Sequence, residues 1–288
     1  MEMKMQTATA YGQSKEIGLY ALANVVNALR AEGVNEPVVQ VRIMIPPYAY
    51  KSRMHTMEKF MKRSCEEYGI QLQDVTSERN NVITQSMVVV TGCGLKVSSC
   101  DTSRKCEYEG SDIVLTKWIG MEGMLRILGD KEAELKTRFS TGFLKKISAY
   151  QKEVFADKEI ALARELGADR IYQVAEGGIF AGLWNLAKET ECGLEVDLKR
   201  IPVLQETVEV CEFFRLNPYQ LTSAGAMLMV VKNGEDFAQQ MNEQGVPAVL
   251  IGKLTDNNDK ILKNGEEVRY IDRPAPDEIM KIFETESE

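Results

Sequence analysis

Two short runs of small residues carry most of the chemical promise of this sequence. The first is Val174-Ala175-Glu176-Gly177-Gly178-Ile179-Phe180-Ala181-Gly182-Leu183-Trp184, where a strand pattern runs into a glycine pair that opens a helix. Glycines let a ligand approach the backbone closely, and the free N–H groups at a helix start favour an anion. The same run also suits a tight strand-to-helix turn, with Ala181 and Gly182 letting the helix pack close. The second run is Ser223-Ala224-Gly225-Ala226, just ahead of the apolar stretch Met227 to Val231. Gly92, Gly94 and Gly120 are further points of close backbone approach. None of these matches a Walker or Rossmann pattern, so neither a standard P-loop nor a dinucleotide site is expected.

Other chemistries are limited by composition. The chain has one histidine, His55, so Ser-His-Asp or Cys-His catalysis could run only through it, and multi-histidine metal sites within one chain are excluded. His55 opens an amphipathic stretch and is expected to face solvent. The six cysteines, Cys65, Cys93, Cys100, Cys106, Cys192 and Cys211, form no CxxC pair and are read as free thiols of a reducing cytosol. Cys100 and Cys106 share a polar loop without further zinc ligands nearby.

The chain has 288 residues, 44% of them apolar and 27% charged, as in an ordinary globular protein of one large or two medium domains. Its 35 basic and 43 acidic residues leave a net charge of −8, which argues against nucleic acid and anionic membranes as partners. No apolar run reaches membrane-spanning length, and Met1 to Ser14 lacks the apolar core of a secretory signal. A cytoplasmic protein is expected.

Hydrophobic spacing supplies the elements that must position the small-residue runs. Ser14 to Glu32 reads as a helix with Ser14 as N-cap and Gly33 as its stop. Val39, Val41, Ile43 and Ile45 alternate with more polar residues, which predicts a strand covered on one side in an antiparallel or mixed sheet. Met54 to Tyr68 reads as a helix with a core-facing methionine stripe, and strands follow over Ile70–Val75 and Val82–Thr91. The polar loop Ser98–Gly110 marks a boundary between domains 1–105 and 106–288. Beyond it helices and strands alternate, ending in a hairpin around Asn264-Gly265, a preferred type I′ turn pair.

With these residues in place the chain resembles the AIR synthase superfamily. The likeness is carried by Glu176-Gly177-Gly178 through Leu186, Ile201-Pro202-Val203, Glu206 to Cys211, Asn217-Pro218 and Leu221-Thr222-Ser223-Ala224-Gly225. In the first half it rests on Asn27 to Pro37, Val88 to Gly92 and Asp112 to Gly120. The superfamily includes aminoimidazole ribonucleotide synthase, hydrogenase maturation factors, selenophosphate synthetase and thiamin-phosphate kinase. The resemblance implies a two-domain α/β (α+β) fold. Its N-terminal mixed or antiparallel sheet pairs with a second subunit in a homodimer or larger homo-oligomer, and its C-terminal domain is α/β. It also implies ATP between N-terminal domains, with Mg²⁺ held by carboxylates, as a hard cation on phosphate requires.

Departures from the pattern shape the functional expectation. The chain starts after the family's phosphate loop and Asp-Asp pair. Ala28 stands where the family's Asn-Asp has its acid, Gln73-Asp74-Val75-Thr76 stands for its Gly-Gly-x-Thr, and Gln173 stands where an Asp is common. The chain ends Glu284-Thr285-Glu286-Ser287-Glu288, without the terminal cysteine of the hydrogenase factor. The expectation is a non-catalytic binder, or sequestering protein, for a nucleotide or other small phosphorylated ligand. Its expected ligand set is Asn27, Asp74, Thr76, Glu176, Gly177, Gly178, Ser223 and Gly225. An ATP-dependent enzyme of the hydrogenase-maturation or AIR-synthase type is the alternative.

Overall fold

A computed structural model describes residues 2–97 and 108–283. Among these, 2–97 and 125–148 form one compact unit, and 108–124 with 149–283 form the other. Cys100 and Cys106 lie outside the described residues.

The first unit is built on a four-stranded sheet. Its strands are β1 (Glu2–Gly12), β2 (Val38–Ile45), β3 (Gln71–Arg79) and β4 (Ser86–Lys96), in the spatial order β1-β4-β2-β3. β4 runs antiparallel to β1 and β2, and β2 runs parallel to β3 with a bulge at Val39/Gln40. This is the mixed, half-covered sheet that alternation in β2 predicts. Helices α1 (Ile17–Ala31) and α2 (Lys51–Glu67) cover one face, burying Leu22, Leu29, Met57 and Met61 against Val39, Val41, Val88 and Val90. The methionine stripe is therefore core. His55 is exposed as expected, with Glu58 3.3 Å away.

Two local readings need correction. Met1–Ser14 yields no element on sequence pattern, yet β1 pairs with β4 along its whole length. Of β1 only Ala10 and Gly12 are buried, so alternation gives no apolar signature there. Ser14 does not cap α1 either. The helix starts at Ile17, and the Ser14 hydroxyl accepts from the Glu16 N–H at 3.2 Å, upstream of the first turn. The Ser14 and Gln13 N–H groups donate instead to Asp130 at 2.6 and 2.9 Å.

The second unit holds a seven-stranded sheet. Its strands are β5 (Asp112–Thr116), β6 (Arg170–Gln173), β7 (Gly193–Asp197), β8 (Met227–Val231), β9 (Ala248–Thr255), β10 (Lys260–Asn264) and β11 (Glu267–Tyr270), in the order β11-β10-β7-β9-β5-β8-β6. Only β10 and β7 are parallel; every other pair is antiparallel. Helix α3 (Met121–Leu135) is shared between the units and α4 (Thr141–Ala149) lies almost wholly in the first, while α5 (Asp157–Glu165), α6 (Gly178–Thr190), α7 (Gln205–Phe214) and α8 (Gly234–Glu243) alternate with the strands of the second. The core gathers Leu115, Ile179, Leu183, Leu194, Leu228 and Ile251. No described helix is long and apolar enough to cross a membrane.

Candidate functional site

The glycine pair lies where β6 hands over to α6. Gly177 (φ 78°) is the helix N-cap and Gly178 has φ 65°, a backbone region that favours glycine. A Cβ on Gly178 would lie 2.5 Å from the Tyr219 carbonyl oxygen and 2.8 Å from the Leu221 nitrogen, so the turn presses directly on the backbone ahead of the second small-residue run. Gly225 (φ 97°) is equally tight, with the Glu153 carbonyl 2.6 Å from where a Cβ would stand. That carbonyl also accepts from the buried Lys117 ammonium at 2.8 Å, as does Phe155 O, while Glu159 pairs with the same ammonium at 3.1 Å. Close backbone packing thus brings Gly177, Gly178, Ser223 and Gly225 into one neighbourhood.

The polar groups of that neighbourhood are bonded to the chain's own carboxylates. Asp277 accepts from Gly177 N–H at 2.6 Å, from Thr222 N–H at 3.2 Å and from Ile279 N–H at 2.9 Å. Glu122 accepts from the Thr222 hydroxyl at 2.7 Å and from Ala224 N–H at 2.8 Å. Ser223 Oγ accepts from Gly120 N–H and donates to Leu221 O, both at 2.7 Å. Gly178 N–H donates to Ala175 O at 3.1 Å. These charge-assisted bonds make Asp277 an internal anion at the helix start, the position where an external one would bind. Glu176 is exposed and takes no part in this network. Sequence pattern gave no sign of Asp277 or Glu122, since a single acid in a polar tail or early in a helix has no motif.

Beside this network lies a cavity of about 250 Å³. Gly177, Phe180 and Ala181 of the α6 start form one wall, Leu198, Leu262 and Ile271 the apolar floor, and the segment Arg269 to Ala275 the rim. Phe180 stacks on Tyr219 with ring centroids 5.4 Å apart, and burial raises the Tyr219 phenol above its ordinary value.

In the first unit Asn27 is fully buried on α1, on the helix-covered side of the sheet. Asp74 and Thr76 pair with Gln40 and Arg42 on the opposite, outward face, so Asn27 is not brought together with them. Asp74 is exposed and its Oδ1 accepts from Val75 N–H at 2.8 Å. Thr76, Gln40, Arg42, Glu78 and Thr91 line an open hollow on that face, crossed by an Arg42–Glu78 ion pair at 2.8 Å. Among the described residues no group of three or more His, Cys, Asp or Glu side chains could hold a metal ion. Burial pushes the Cys65 thiol up to about 11 and the Cys211 thiol up to about 12, so both are inert packing groups.

A mixed four-stranded unit followed by an α/β unit whose glycine pair presses on a small-residue turn is an AIR-synthase-type architecture. Residues 109–263, more than half of the chain, match the family model described as AIR synthase related protein, C-terminal domain, and the chain belongs to that family. It is 20% identical over 273 residues to a putative hydrogenase expression/formation protein of Methanocaldococcus jannaschii, covering 93% of this chain and 79% of that one. Its fold matches the crystal structure of Escherichia coli HypE, a hydrogenase maturation protein, with a TM-score of 0.74 at 16% identity, covering 98% and 89% of the two chains. A HypE structure in complex with ATP matches with a TM-score of 0.71 at 16% identity, covering 97% and 87%. At such identities the structural matches establish the fold alone.

Proposed function

We propose that this chain is a homodimeric, AIR-synthase-related protein that binds a nucleotide or other small phosphorylated ligand without a metal ion and without turning it over. The observation that carries the reading is the state of the acids. Ala28 and Gln173 replace carboxylates of the family pattern, and Asp74, the acid nearest that pattern, is exposed and bonded to its own neighbour's N–H. Mg²⁺ on a polyphosphate is held by one or two carboxylates besides phosphate oxygens and water, and Ala28 and Gln173 stand at two of the positions that would supply them. The ligand class is supported by the ATP-bound HypE that shares the fold.

The dimer is supported by the uncovered face of the four-stranded sheet, where Met3 and Met5 are 69% and 70% exposed beside Leu95 at 45%. The test is an ATPase assay on the purified chain with and without Mg²⁺, paired with native mass spectrometry of protein taken directly from cells. The expected result is no metal-dependent turnover and a retained small molecule. Magnesium-dependent hydrolysis that disappears in Asp74→Ala would overturn the reading and make Asp74 a working ligand.

A further inference from the structure

The cavity beside the α6 start has chemistry that the glycine-pair network does not use. Part of its lining is apolar, with Leu198, Leu262 and Ile271 beside the Phe180 ring, which is itself held by stacking on Tyr219 at an interplanar angle of 8°. Such a surface takes a flat ring. Its rim is polar: Arg269, Asp272 and Arg273 all line the cavity.

The two arginines differ. Arg269 is held by Glu267 at 2.6 and 2.8 Å, whereas Arg273 is exposed on the strap that closes the cavity, its guanidinium with no partner among the described residues. Asp272 precedes it on the same strap, and the Gln220 side chain supplies an amide edge. Because Asp277 already occupies the Gly177 N–H, an anionic group entering here would be recognised by guanidinium and not by the helix start.

From this cavity we infer a binding site for a nucleoside monophosphate: ring on the Phe180 side, ribose hydroxyls toward Asp272, phosphate on Arg273. A volume of about 250 Å³ lies just below the usual range of ligand pockets, about 300 Å³ upward, so the site suits one ring and one phosphate better than a triphosphate. The inference rests on the reading of the protein as a ligand binder, and it moves recognition from the glycine pair itself to the cavity beside it.

The experiment is calorimetric titration of the full chain in EDTA with AMP, adenosine and inorganic phosphate, repeated on Arg273→Gln. Arg273 is a surface residue, so the fold should survive, and a matching circular dichroism spectrum checks this. AMP should bind the parent, adenosine at least tenfold more weakly, and Arg273→Gln should remove that difference while leaving adenosine unchanged. AMP affinity unaltered by Arg273→Gln, or no AMP binding at all, overturns the assignment. If in either case a copurified small molecule still binds parent and variant equally, the cavity is wrong and the binder reading survives; if nothing copurifies or binds, both fall.

Discussion

Asp130 shows how one residue can tie a unit together and make it sensitive to pH. It sits at the close approach of Gly129 to Ser14, where a Cβ on Gly129 would meet the Ser14 side chain at 3.0 Å. One carboxylate oxygen takes the Gln13 and Ser14 N–H groups, and the other is buried without a hydrogen bond. Burial raises its pKa, and the two backbone bonds together with Arg126 and Arg53 pull it down only in part. The guanidinium of Arg53 is itself lowered by burial, with Tyr48 and Asp130 opposing that shift. A raised carboxylate pKa means that the folded state binds the proton more tightly than the unfolded one. The ionised group therefore costs stability above its folded pKa, and that cost fades as the pH falls toward the ordinary Asp value. Asp130→Asn keeps an acceptor for both N–H groups and carries no charge. It should be at least as stable as the parent near pH 7, and that advantage should shrink as the pH is lowered toward about 4. Urea unfolding midpoints across this range check it; an advantage that grows toward acid would be the wrong sign.

At the scale of elements, α1 packs on the sheet only because glycines leave it room. A Cβ at Gly92 of β4 would stand 2.5 Å from Val25 and 2.9 Å from Leu29, both branched side chains fixed in the core. A Cβ at Gly18 would meet chiefly the Met61 sulfur, at 2.2 Å, which a flexible side chain can withdraw. Gly92→Ala should therefore cost about 1–3 kcal/mol by overpacking. Gly18→Ala should cost less, because replacing Gly by Ala inside a helix returns roughly 1 kcal/mol. Equal losses in chemical denaturation would show that the helix-to-sheet spacing adapts at both points. The helix itself was legible from apolar spacing, and the role of Gly92 was not, since a glycine in a strand pattern says only that something comes near.

For the molecule as a whole, the open face of the four-stranded sheet is the surface that a second copy would cover. Met3 lies opposite Leu95 and Met5 opposite Cys93, an apolar end to an otherwise polar face. Light scattering should report a dimer at micromolar concentration, and Met5→Glu should halve the mass while leaving the circular dichroism spectrum unchanged, because a charge there would be buried without a partner. A monomeric parent would remove this interface from the proposal.

Most helices and strands, the one-sided cover of the first sheet, and the two small-residue runs as points of close backbone approach were legible in the sequence alone. These properties follow from periodicity and from glycine's missing Cβ, both of which are local. The sequence did not disclose β1, because a strand with almost no buried side chains has no apolar rhythm. Nor did alternating helices and strands reveal a second sheet that is almost wholly antiparallel, since pairing is chosen by non-local contacts. What meets the glycine pair is set by long-range packing. Asp277 lies 100 positions from Gly177 in the chain and 2.6 Å from it in space, and that one contact turns an expected anion site into a filled one.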